Sequence, residues 1–202
     1  MENLNKIIEQ SENKFFRYGF YKTTMDEIAY ELRISKKTIY KFFSSKDDLV
    51  SAIAMNFMNE MKSKIIPALN SDKNAIEKLG ELIKVLTIAS EKISSERMEE
   101  IKRYYPTLWD KIDHFRTEMM FGNITKVINQ GKEEGLFVDY PTQIIMNVLV
   151  VSVREVVNPD FILKNNFSII TAARYALKII IGGILTSKGK KEFNKIFNKV
   201  IK

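Results

Sequence analysis

Cysteine is missing from all 202 positions. That excludes disulfides and thiolate-held metals. Histidine occurs once, as His114, so a His/Cys zinc site is excluded and a Ser-His-Asp site would rest on that residue alone. The chain offers no nucleophile–base pair, no metal-ligand cluster and no glycine-rich phosphate loop, so neither catalysis nor a bound cofactor is expected. Glycine (8) and proline (4) are scarce, which leaves few chain breakers and favours long helices. The longest apolar runs, near Ile144–Val153 and Ala176–Leu185, are too short and too polar to span a bilayer. The opening MENLNKIIEQSENK is amphipathic, with no apolar signal core. A cytoplasmic protein without a membrane partner is expected.

Hydrophobic residues make up 45% and charged residues 28% of the chain, ordinary for one or two globular domains. The net charge of +7 suits a polyanionic partner, but its placement matters more than its size. Residues 1–50 carry nine basic and eight acidic side chains, and residues 188–202 carry six lysines against Glu192 alone. The tail therefore supplies most of the excess. Its KGKKEFNKIFNKVIK reads as a capping helix with a solvated lysine face, or as a surface for DNA or an anionic membrane.

A more local charge bias sits near the N-terminus. Between Arg33 and Lys46 there are five basic residues (Arg33, Lys36, Lys37, Lys41, Lys46) and no acidic one. The flanking pattern is helical. Thr24 with Glu27 fits a capping box, and Met25, Ile28, Ala29 and Leu32 recur at helical spacing. Arg33 and Ile34 make a turn, Ser35 caps a short helix through Lys41, and Ser45 with Asp48 opens a longer one. A cationic short helix behind a scaffold helix is what a helix-turn-helix requires: the second helix enters the major groove while neighbouring helix starts grip phosphates.

The rest also reads as helix. Residues 3–18 form an amphipathic helix capped by Gly19. With the next two helices it packs on Phe15, Phe16, Phe20, Met25, Ile28, Leu32, Ile39 and Phe43. A helix from Lys46 runs to Pro67 with Leu49, Ile53, Phe57, Met61 and Ile65 on one side, joining the two halves of the chain. Ala75 to Ala89 carries a clear apolar stripe, and a polar helix lies near Ser95–Arg103. Another helix runs from Pro106 to about Glu134, with Gly135 as its cap and Leu136–Pro141 as a connector. Residues 142–157 and 169–185 are apolar nearly all round, with Asn158–Asn166 as a link. A last amphipathic helix uses Phe193, Ile196, Phe197, Val200 and Ile201. The expected fold is all-α, with no strand and no internal repeat.

The N-terminal residues resemble the TetR-like family of bacterial transcriptional regulators. The matching pattern is Phe16-x-x-Gly19, Thr23-Thr24-x-x-x-Ile28-Ala29, Ile34-Ser35-Lys36-Lys37-Thr38-Ile39-Tyr40 and Phe43-x-x-Lys46-Asp47-Asp48-Leu49. It departs from the family at Lys37, where glycine is usual, and at Phe42, where His or Tyr is common. The resemblance implies a three-helix DNA-binding domain, taken as residues 1–50, and a helical effector-binding and dimerisation domain, taken as 51–202. It implies a homodimer on a palindromic double-stranded operator, usually a repressor released by a small molecule. A helical small-molecule binding protein, or an activator without effector-controlled release, stays open.

Lys36, Lys37, Thr38, Tyr40 and Lys41 are the expected DNA-facing set, against the alternative of a merely solvated helix. Lysine reaches guanine or phosphate, threonine a base methyl, tyrosine a phosphate. Thr24 and Lys46 resemble the family's phosphate clamps. Tyr104, Tyr105, Trp109, His114, Phe115 and Met119 cluster in the middle of the chain and read either as an apolar effector pocket or as bundle core. The helices at 142–157 and 168–186 fit a symmetric four-helix dimer interface. If they are instead buried within one monomer, Arg154 and Arg174 need carboxylate partners, Glu155 being one candidate.

Overall fold

The computed structural model describes residues 2–200, with side chains from 4 to 196. The chain is all-α: twelve α-helices and one π-helical turn, with no strand among the described residues. It divides into two compact units. The first comprises Met1–Glu60 and Glu96–Asp113; the second comprises Met61–Ser95 and His114–Lys202.

The first unit is built from capped helices around a small aromatic centre. Helix α1 (Glu2–Tyr18) buries Ile7, Ser11 and Phe15 on one face. It stops at Gly19, whose φ of 104° is open to glycine alone at no cost, with the Gly19 N–H on the Phe15 carbonyl at 2.8 Å. Helix α2 (Met25–Leu32) starts on the expected capping box and ends on Arg33 in the left-handed region, where the Ile34 N–H returns to the Ala29 carbonyl at 3.0 Å. Helix α3 (Lys36–Tyr40) is capped by Ser35, which accepts the Thr38 N–H at 3.1 Å. Helix α4 (Lys46–Leu69) opens with the Asp48 N–H on the Ser45 hydroxyl, also at 3.1 Å. Phe15 stacks on Phe20 with ring centroids 5.4 Å apart, and Phe16 meets Phe57 edge-on at 5.8 Å. Ile28, Ile39, Leu49 and Ile53 complete the buried centre. Residues from the middle of the chain join this unit. They are most of α6 (Ser95–Tyr104) and the first half of α7 (Pro106–Met119), burying Met98, Ile101 and Leu108.

The second unit holds a larger apolar core. Leu79, Ile83, Ile128, Met146, Leu149 and Ile181 sit at its centre, each at most 2% exposed. Helix α5 (Ala75–Lys92) is set by a second capping box, Asn74 with Glu77. Three expectations change here. Helix α4 passes Pro67 and ends at Leu69: proline forfeits one helix hydrogen bond, and the last turn still closes through the Asn70 N–H on the Ile66 carbonyl. The helix expected from Pro106 to Glu134 is broken by a π-helical turn at Met120–Ile124 before α8 (Thr125–Glu133). The Asn123 side chain donates to the Met119 carbonyl there, at 3.0 Å. The link after α9 (Thr142–Val156) is itself a helix, α10 (Pro159–Asn165), with Asn158 as cap and proline at its first turn.

Helix α11 (Ile169–Gly183) packs against α9 and α5, and α12 (Ser187–Val200) packs against α5. Neither α9 nor α11 is buried all round. Ile144, Val148 and Val151 on α9, and Tyr175 and Ile179 on α11, are each more than half exposed. The apolar stripe predicted for the last helix is met at Phe193, which is buried. The side chains of Phe197 and Val200, and Ile201 itself, lie outside the described residues. No described helix is long and apolar enough to cross a membrane.

Candidate nucleic-acid interface

Helix α3 is oriented by the one side chain it buries. Ile39 is fully buried in the first unit. Helical geometry then turns its neighbours outward: Lys36, Lys37, Tyr40 and Lys41 are exposed and Thr38 is half-buried. They do not stand alike. Lys36 is ion-paired with Asp26 of α2 at 2.9 Å, and its ammonium lies 6.0 Å from the Tyr40 ring centroid. Donating to the Asp26 carboxylate raises the Lys36 pKa. Lys36 thus steadies α3 against α2 and leans on Tyr40. Lys37 and Lys41 form no ion pair with any described residue, which leaves their charge for a phosphate or a base edge.

Thr24 is exposed at the start of α2. Its N–H donates to Glu27 at 2.7 Å and its hydroxyl accepts the Glu27 N–H at 3.2 Å. The Thr24 N–H, and then its hydroxyl at 3.0 Å, donate to the Glu27 carboxylate and hold it below its ordinary range. Lys46 is half-buried. It donates to the Tyr21 carbonyl at 2.9 Å and lies 5.9 Å from the Phe15 ring centroid. Burial pushes its ammonium down, against Asp47, Glu100 and Glu27, which pull it up. One of its three N–H donors therefore fastens the corner between α1 and α2, and two remain for a phosphate.

That corner has a second fastening. The Glu100 carboxylate of α6 accepts the N–H of Phe20 at 2.5 Å and of Tyr21 at 3.3 Å. It is paired with Arg97, whose Nε donates to the Phe16 carbonyl at 3.3 Å. A Cβ on Gly19 would lie 2.5 Å from the Arg97 guanidinium, so any other residue would displace the Arg97–Glu100 pair on top of the strain at its φ. Tyr104 stacks on Tyr21 with centroids 4.5 Å apart. Arg97 and Glu100 escape a sequence reading because their partners lie about eighty residues away; a polar helix at 95–103 was the only signal.

The six expected effector-pocket residues divide between the units. Tyr104, Tyr105 and Trp109 belong to the first; His114, Phe115 and Met119 belong to the second. Tyr105 is half-buried, and its phenol is pushed up to about 12, chiefly by burial and then by Asp47 and Glu100. Trp109, Phe115 and Met119 are half-buried. His114 is exposed, with Nε2 3.3 Å from Glu118 one turn on. Two concavities are lined by other residues. One is an open groove of about 560 Å³ over Lys14, Asp26, Glu27, Tyr30 and Glu31. The other is a cavity of about 160 Å³ at Thr171, Arg174, Tyr175 and Lys178.

A capped scaffold helix, a short cationic helix turned outward and a further helix start beside them define a helix-turn-helix transcriptional regulator. Residues 7–53 match the family model for bacterial regulatory proteins of the tetR family. The N-terminal region is thus that of a TetR-like regulator, and over most of its length the chain is similar to DNA-binding transcriptional regulators. It is 26% identical to YvaF, an uncharacterized HTH-type transcriptional regulator of Bacillus subtilis, over 90% of this chain and 95% of that one. Its fold is similar to a transcriptional regulator from Cytophaga hutchinsonii, with a TM-score of 0.73 and 20% identity, covering 92% of this chain and all of that one. It is also similar to a regulator from Saccharomonospora viridis solved in complex with choline, with a TM-score of 0.71 and 18% identity over 92% and 98% of the two chains. The matched family and these relatives are transcriptional regulators, not enzymes.

Proposed function

We propose that this protein is a homodimeric repressor that binds a two-fold symmetric operator and leaves it when a small molecule binds the second unit. The observation that carries the reading is α3. Its Lys37, Tyr40 and Lys41 are exposed side by side, with capped helix starts at Thr24 and Lys46 in the same unit. In this reading Lys37, Thr38, Tyr40 and Lys41 meet the major groove. Lys36 braces Tyr40, and Thr24 and Lys46 hold phosphates.

The dimer assignment is supported by the exposed apolar faces of α9 and α11. Ile144, Val148, Val151 and Ile179 form exposed apolar faces on two packed helices, of the kind that a second copy covers. The effector assignment is supported by the regulator from Saccharomonospora viridis that holds choline. For this chain the pocket belongs to the second unit, with Phe115 and Met119 beside the π-helical turn as candidate walls and His114 at its edge. Tyr104, Tyr105 and Trp109 serve the DNA-binding unit instead.

Selection of bound genomic fragments followed by footprinting tests the reading. A protected site with two-fold sequence symmetry is expected, together with a dimer in sedimentation at micromolar concentration. Failure to retain any fragment at low salt overturns DNA binding, and a monomer in sedimentation overturns the symmetric operator.

A further inference from the structure

Arg174 stands on the flank of α11 that faces α5, inside the second unit. Its Nη2 donates to the Thr87 hydroxyl oxygen at 3.1 Å. Its Nε is buried and meets no acceptor among the described residues. Among the described residues Arg174 forms no ion pair with a carboxylate, Glu155, the partner the sequence suggested, included; Glu155 is exposed. Arg174 is half-buried, and a guanidinium held there by one neutral acceptor lacks a counter-charge among the described residues.

The surroundings hold Arg174 in place without neutralising it. Thr87 gives its own proton to the Ile83 carbonyl at 2.7 Å, so its oxygen is left to accept from Arg174. Lys178 lies one turn along α11, exposed and without an ion pair among the described residues. Both cations line the cavity of about 160 Å³, together with Thr171 and Tyr175. That volume suits a head group rather than a whole drug-sized ligand.

We propose that Arg174 and Lys178 form the anion-recognising end of the effector site, so that the effector carries a carboxylate or a phosphate. Arg174 offers the planar fork that these groups accept, and Lys178 adds a second, mobile charge. The proposal rests on the effector reading above. It adds a sign of charge, opposite to that of choline.

The test uses the full chain and four probes with one tail and different heads: octanoate, octyl phosphate, octanol and octyltrimethylammonium. Binding is read by thermal shift and by calorimetric titration. Octanoate or octyl phosphate should raise the melting temperature, while octanol and the ammonium compound leave it unchanged; the better of the two anions identifies the head group. Arg174→Gln should weaken the anion by about 10- to 100-fold, and Lys178→Gln by less. Without ligand Arg174→Gln should melt no lower than the parent chain, because it removes an uncompensated charge. Equal responses to octanol and octanoate, unchanged by Arg174→Gln, overturn the anion site and leave the effector reading standing. No response to either anion also overturns it. So does loss of the dimer in Arg174→Gln without an anion response, which would assign the guanidinium to a subunit contact.

Discussion

The two units solve different problems. The first must present a few polar groups at fixed places, and it does so with caps. Thr24, Ser35 and Ser45 each close a helix start through a bond no longer than 3.2 Å, and Gly19 and Arg33 each turn the chain through positive φ. The second unit must hold a larger apolar core and present faces. Its centre is Ile128, Met146, Leu149 and Ile181, and its α9 and α11 leave Ile144, Val148, Val151 and Ile179 exposed. Function in the first unit is therefore written in single residues at set spacing. In the second it is written in the shape of surfaces, which many sequences can supply.

Three substitutions probe this contrast. Ile128→Ala, which opens a cavity at a fully buried position of the second unit, should cost about 2–5 kcal/mol of stability. It should leave the DNA affinity of the still-folded protein unchanged, as seen by denaturant titration beside fluorescence anisotropy. Glu100→Ala should act the other way round. It strands the Phe20 and Tyr21 N–H groups, at about 1–3 kcal/mol, and loosens the corner that carries Thr24 and Lys46. DNA affinity should fall with an unchanged salt slope, since Glu100 meets no phosphate, and Glu100→Gln should restore part of it. If Ile128→Ala weakens DNA binding as much as Glu100→Ala does, the division of labour between the units is wrong.

The smallest effect concerns acid. The Glu27 carboxyl is held below its ordinary value of 4.5 by Thr24. Its stabilising contribution is present above that value and is lost as pH falls through the lowered one. Glu27→Gln should flatten the acid limb of a stability–pH profile and leave neutral pH nearly unchanged. An identical acid limb in the variant would mean that the capping box carries no proton linkage.

What the sequence could and could not disclose follows the same division. The Thr24–Glu27 box, the Ser35 cap and the turn at Arg33 are contacts over five residues or fewer, and all were legible as spacing. The Asn74–Glu77 box is equally local and has the same spacing. The π-helical turn depends on a shift of hydrogen-bond register that apolar periodicity does not record, since Ile124 and Ile128 stay in phase with burial on both sides. Asn158-Pro159 looked like a linker because a cap followed by proline begins a turn and a helix alike. Least legible was the role of residues 96–113 in the first unit. Glu100 finds Phe20 and Tyr104 finds Tyr21 across some eighty residues, and nothing in their local pattern names the partner.

The central claim is that α3 reads DNA through Lys37 and Tyr40. Its most direct test is an anisotropy titration of the parent chain, Lys37→Ala, Tyr40→Ala and Lys46→Ala. The titration uses the duplex recovered by genomic selection and a scrambled duplex, at several salt concentrations. Lys37→Ala and Tyr40→Ala should each weaken the selected duplex by about 1–3 kcal/mol and the scrambled one far less. Lys46→Ala should weaken both alike and reduce the salt slope by about 1. Unchanged affinity for the selected duplex in both Lys37→Ala and Tyr40→Ala would contradict the claim.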